Sequence, residues 1–214
     1  MDRQDNEKYR IESILLYRFT VKIFLTTKQV GATGRSPYRR GDGKDATSEG
    51  NAEMTDMLVR LYELPDLCDY IKKMEQIGVR VRRPNVWEKP LLMDWVKEHF
   101  SLSWALECET AFAVRPPSCF IAVKDDVLIG FACYDCTRLN FFGPTGVADY
   151  AMGKGVGTVL LLSCLNAMKD GGYAYGIIGG IGPAEFYAKA VGAIIIEGSS
   201  PGIYERLINI HEKT

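Results

Sequence analysis

From Met57 onward the apolar positions fall into short blocks whose period changes repeatedly between two and about three and a half. Leu58 to Leu64 reads as a strand ended by Pro65. Asp66 then caps a helix whose apolar face is Leu67, Tyr70, Ile71, Met74 and Ile77, with Gly78 as its stop. Val79 to Arg83 is a short extended piece. Pro90 opens a second helix carrying Leu92, Trp95, Val96 and His99. Ser103 is the expected cap of a third, bearing Trp104, Cys108 and Ala111, which Arg115-Pro116-Pro117 breaks. Phe120 to Val123 and Val127 to Thr137 read as a hairpin around Asp125-Asp126. Phe141 to Asp149 is a strand weakened by Gly143, Pro144 and Gly146. A glycine-rich loop, Gly153 to Gly157, leads into a helix with Val159, Leu162, Leu165 and Met168 on its core face. Tyr173 to Ile178 is a buried strand, Ala184 to Val191 a short helix between Pro183 and Gly192, and Ala193 to Ile196 a further strand. An extended or mixed segment, about Gly202 to Ile210, is the last element read.

The first 53 residues differ. Tyr17, Phe19, Val21, Ile23 and Leu25 alternate with Arg18, Thr20 and Lys22, a strand-like period with no hairpin partner nearby. Residues 31–53 are glycine, serine and charge with almost nothing to bury. The reading is an appendage over 1–53, poorly ordered, and a functional domain over 54–214. Ile14 to Leu25 is too short and too charged to span a bilayer, and no cleavage site follows it.

At 214 residues the chain suits one domain with an appendage, and 47% hydrophobic residues suffice for a sizeable core. Lys+Arg is 26 against Asp+Glu 27, a net charge of −1, which excludes a bulk electrostatic pull on nucleic acid or on an anionic membrane. Six cysteines are scattered through apolar segments. Cys133 and Cys136 form one C-x-x-C, but no second pair accompanies it and there are only two histidines. They read as buried thiols of a reducing, cytoplasmic protein, and no metal site is expected.

The segment Met152-Gly153-Lys154-Gly155-Val156-Gly157-Thr158 runs from strand to helix. Amides at a helix start lack internal partners, glycines let that backbone approach a ligand, and the helix dipole favours an anion. The three together make a cradle for phosphate or pyrophosphate. It is not a nucleotide triphosphate loop: Gly153-Lys154 is followed by Gly155, and the upstream glycine position is Ala148. It is not a dinucleotide fingerprint either, since Thr158 follows where a third glycine is due and the preceding strands read as hairpins.

The run Val147 to Leu161 resembles motif A of the GNAT acetyltransferase superfamily, [RQ]-x-x-G-x-[GA], with Gly155 and Gly157 on its glycine positions. Met152 stands where Arg or Gln is usual, a position that contributes mostly backbone. Ala184-Glu185-Phe186-Tyr187-Ala188-Lys189 followed by Gly192 resembles the family's last helix, and the Phe120–Tyr134 hairpin and the order of elements over about 56–210 also match. The resemblance implies a mixed α/β (α+β) fold with a central sheet splayed at the cofactor site and flanked by helices. It implies acetyl-CoA, or another acyl-CoA, as co-substrate, with its pyrophosphate on the backbone of Met152, Gly153, Lys154, Gly155, Val156, Gly157 and Thr158. The thioester would lie near Val147, and Tyr187 would be the general acid toward the leaving thiolate. No glutamate lies on the Phe141–Ala148 strand, so no base is assigned; Glu107, Glu109 and Asp135 are acids on neighbouring elements. Phe141 to Pro144 and the Trp95 and Trp104 helices either wall an acceptor pocket or fill the core. The implied partner is a small-molecule or protein amine, and a homodimer stays open. The implied activity is N-acetyl transfer by direct attack in a ternary complex; the alternative is a non-catalytic acyl-CoA-binding regulatory module. An unrelated phosphate-binding α/β domain is a third reading.

Overall fold

A computed structural model describes residues Thr55–Glu205. The appendage, its alternating segment Tyr17–Leu25 and the end of the chain beyond 205 lie outside the described residues. The described part is a seven-stranded mixed sheet with helices on both faces. Its strands are β1 (Met57–Arg60), β2 (Val79–Arg82), β3 (Cys119–Lys124), β4 (Val127–Tyr134), β5 (Phe141–Val147), β6 (Tyr175–Ile178) and β7 (Ile194–Ile195). Its helices are α1 (Leu67–Gln76), α2 (Lys89–His99), α3 (Leu102–Thr110), α4 (Val156–Asp170) and α5 (Ala184–Val191). The sheet order is β2-β3-β4-β5-β6-β1-β7. Every pair is antiparallel except β5 with β6.

Two expectations need correction. The first strand is shorter than Leu58–Leu64, because Leu61 to Glu63 turn into a 3-10 helix. The turn tucks Leu61 into the core while its N–H reaches Ala174 O at 3.0 Å. The cap of α3 is Ser101, whose Oγ accepts from Trp104 N–H at 3.1 Å; Ser103 lies inside the helix and its hydroxyl pairs with that of Ser101. Gly202 to Tyr204, at the start of the segment read as extended or mixed, form a 3-10 turn, and residues 206–210 of that segment lie outside the described residues.

Strand alternation sends two sets of side chains to opposite faces. Phe120, Ala122, Ala132 and Phe142 join α1 and α4 in one core, which Tyr187 and Val191 of α5 complete. Cys119, Ile121, Val123, Phe131 and Cys133 face α2 and α3 in the other. The β3–β4 register slips between Ala122 and Val123, which lets Ile129 and Leu128 fall on opposite faces from those strict alternation with Phe131 would give. The 15-residue α4 is buried along most of its length, from Val156 to Met168. Among the described residues no helix is long and apolar enough to cross a membrane.

Candidate acyl-CoA site

The feature that makes a site is the parting of β5 from β6. The two strands pair only at Phe141 with Ile177 and Phe142 with Ile178. Beyond that point, among the described residues, β5 runs on to Val147 paired with β4 alone. The chain after β6 is drawn the other way, toward the start of β1. Gly180 N–H donates to Asp56 Oδ1 at 2.9 Å, and Ile181 N–H donates to Thr55 O at 3.0 Å. Asp56 is buried, and its carboxylate also accepts from the Tyr204 hydroxyl at 3.4 Å. Burial, followed by that negative charge, pushes the Tyr204 phenol well above its ordinary value.

The edge of β5 left open can be read from its ladder to β4. Ala148 N–H donates to Ile129 O at 2.9 Å, beside the Gly130–Val147 pair, which makes that pair a non-hydrogen-bonded one. Thr145, opposite Ala132, has the same phase. Thr145 and Val147 therefore turn their N–H and C=O groups away from β4, toward the gap. Between Tyr134–Phe142 and Ala132–Thr145 the ladder gains one residue on β5, at Gly143-Pro144, where proline has no N–H to give.

At the far end of β5 a short turn over Asp149–Ala151 leads to the glycine loop. Gly153 and Gly155 both have positive φ, +72° and +84°, a region costly for other residues. Gly155 is the N-cap of α4, and among the described residues no side chain caps the helix. The first intrahelical bond runs from Val159 N–H to Gly155 O, so the amides of Val156, Gly157 and Thr158 have no acceptor within the helix. A Cβ on Gly157 would stand 3.7 Å from Val147 Cγ2 and 3.9 Å from Phe186 Cζ, so loop, β5 and α5 converge on this spot. Met152 is half exposed. Lys154 is also exposed, its Nζ donating to Tyr150 O at 2.9 Å. Val156 is buried beneath the loop.

Tyr187 lies at the closed end of the gap. It is 8% exposed, and its ring packs edge-on against Phe142, the last β5 residue paired to β6, and against Phe186. The three acids named as neighbours have other partners. Glu107 accepts from the Thr137 hydroxyl, Glu109 pairs with Lys89 at 2.9 Å, and Asp135 accepts from Asn140 N–H at 2.6 Å. Trp95 and Trp104 pack with Phe100 and Phe131 into one aromatic cluster. Gly146 admits that cluster to β5, since a Cβ there would overlap the Phe100 ring.

Sequence reasoning missed Asp56, Thr145 and Tyr204. Asp56 carries no motif, and its role appears only when β1 is placed beside β6. Thr145 faces the gap through its backbone, which leaves no residue-type signal.

No protein-family model matches the chain, and no curated protein matches it. Solved structures do. One contains the GCN5-related glucosamine N-acetyltransferase region of a fungal multi-domain GH3 β-N-acetylglucosaminidase, at TM-score 0.56 and 14% identity, over 69% of this chain and 20% of that one. Another is a GCN5-related N-acetyltransferase from Sphaerobacter thermophilus, at TM-score 0.53 and 16% identity, over 66% of this chain and 48% of that one. The match thus spans less than half the length of either. The fold is that of the GCN5-related N-acetyltransferases, the GNAT fold expected from the glycine loop and the last helix.

Proposed function

We propose that the protein is an acyl-CoA-dependent N-acyltransferase that moves an acetyl group from acetyl-CoA to a primary amine. The observation that carries this reading is the gap between β5 and β6, open along Thr145 and Val147 and ending at an uncapped helix start. A phosphopantetheine arm is an extended, amide-containing chain, and the free edge of β5 offers it strand-like hydrogen bonds. Its pyrophosphate end fits the backbone of Met152 to Thr158, where unpaired amides, the helix dipole and two positive-φ glycines favour a closely approaching anion.

The co-substrate supplies the activated acyl thioester. The protein's part is to hold and orient it, to offer backbone N–H groups near Val147 to the developing oxyanion, and to supply a proton to the departing thiolate. Tyr187 is the residue proposed for that proton, on its place beside Phe142 where the gap closes. The amine must reach the site neutral, and no side chain is assigned as its base.

Calorimetry of the full chain with acetyl-CoA, followed by thiol release across a panel of small and peptidyl amines, tests the reading. Saturable binding with turnover on one amine class supports the enzyme. Binding without turnover on any amine points to the non-catalytic acyl-CoA module, and no binding removes both.

A further inference from the structure

We propose that Cys108, Cys119 and Cys133 form a thiolate site for a zinc-class d10 metal ion in the core between the sheet and α2–α3, with Cys136 as the fourth ligand. The site is independent of the acyl-CoA reading. Cys119 and Cys133 are directly opposite in the β3–β4 ladder, and Cys108 comes down on them from α3. The three sulfurs lie within 4.8 Å of one another, and all three residues are fully buried. Three elements thus aim one soft donor each at a common point, in a core otherwise made of residues such as Leu92, Val96, Ile121 and Phe131.

Zinc bound by thiolates at about 2.3 Å in a tetrahedron sets sulfurs roughly 3.8 Å apart. Closing a triangle no wider than 4.8 Å to that size moves each sulfur by roughly half an ångström, within reach of side-chain rotation. Cys136 stands beside Cys133, three residues on, and is partly exposed. Its sulfur is 3.3 Å from Tyr134 O and 3.8 Å from Ser118 Oγ. Its sulfur lies outside the group of three, so it completes four-coordination by turning inward from Tyr134 O and Ser118 Oγ. On binding, four metal–sulfur bonds form and four thiol protons leave to solvent, with no change of oxidation state. The dication offsets thiolate charge that this apolar core would otherwise exclude. The ion would tie α3 to the sheet and to the β4–β5 connection.

The test uses the full chain, reduced and stripped with a chelator, then titrated anaerobically with Co(II) and afterwards with Zn(II). The expected result is one equivalent of Co(II) with intense thiolate charge-transfer and tetrahedral d–d bands, displaced by Zn(II), and a melting temperature raised by either metal. Cys133→Ala should abolish the bands, while Cys68→Ala, exposed on α1, and Cys164→Ala, on the other face of the sheet, keep them. If Cys133→Ala does not fold, Cys136→Ala at the partly exposed position should fold and weaken Co(II) binding roughly tenfold or more. Absence of stoichiometric charge-transfer bands in the folded, reduced chain overturns the proposal. So does their survival in folded Cys108→Ala or Cys133→Ala, or unchanged Co(II) affinity in Cys136→Ala. A Cys119–Cys133 disulfide in the peptide map, with no metal uptake after its reduction, also overturns it.

Discussion

Replacing Gly155 with aspartate places a carboxylate at the N-cap of α4, among the amides proposed to hold the pyrophosphate. The backbone cost comes first: φ there is +84°, and an L-residue in left-handed geometry loses about 1–2 kcal/mol. The new Cβ would meet only Met74 Cε, at 3.4 Å, an ordinary contact. For a domain of this size the strain lowers the melting temperature by about 2–8 °C. The ligand cost is larger. A hydrogen bond to a charged group is worth about 1.5–3 kcal/mol, and a like charge some 4 Å away adds about 1–4 kcal/mol depending on local screening. Even the lower ends of both ranges sum to about 2.5 kcal/mol, which predicts a Kd for acetyl-CoA raised by roughly 10²-fold or more. Gly155→Ala carries the strain without the charge, so it should melt early yet lose much less affinity. Calorimetry on both variants, with melting curves to show that they fold, reads the two costs separately. A folded Gly155→Asp protein that binds acetyl-CoA as the unaltered chain does would refute the placement of the pyrophosphate.

Tyr187→Phe keeps the ring against Phe142 and removes only the phenol proton. Turnover should fall by roughly 10²–10⁴-fold with acyl-CoA affinity little changed, and full activity in a steady-state assay would take Tyr187 out of the mechanism. Asp56→Ala leaves Gly180 N–H and the Tyr204 hydroxyl without their acceptor; denaturant melts should show a loss of about 1–3 kcal/mol, and no loss would mean that Asp56 does not hold the β6 end in place. Glu88 takes two hydrogen bonds from Arg82, at 2.6 and 2.7 Å, which hold its carboxyl below the ordinary value. Its contribution is therefore present above the unfolded pKa and fades as pH falls through the lower folded one. Melting temperatures between neutral and acid pH should drop less steeply in Glu88→Gln, and parallel curves would contradict the assignment.

The elements that depend on local chemistry were legible in the sequence. Asp125 and Asp126 both take positive φ, 50° and 58°, in the tight hairpin turn read between β3 and β4. Asp66 caps α1 through Cys68 N–H as its position suggested. Two serines two residues apart can each cap a helix, and only the packing of α3 selects Ser101. The gap was foreshadowed by Gly143, Pro144 and Gly146, but its cause was not. That cause is β1, more than 110 residues from β6 in sequence, paired with it and pulling Gly180 and Ile181 aside. Pairing at such separation leaves no local pattern. The thiol cluster was hidden for the same reason: residues 108, 119 and 133 have no metal-ligand spacing and meet only through the β3–β4 register and the docking of α3.

The proposed N-acyl transfer requires an acyl-CoA along the open edge of β5. Amide hydrogen exchange on the full chain, with and without saturating acetyl-CoA, reads that edge directly. The amides of Thr145 and Val147 should exchange markedly more slowly with the ligand, together with those of Val156, Gly157 and Thr158, while β2 and β3 on the far side of the sheet stay unchanged. Exchange at Thr145 and Val147 that does not respond to acetyl-CoA under conditions where binding is saturated would contradict it.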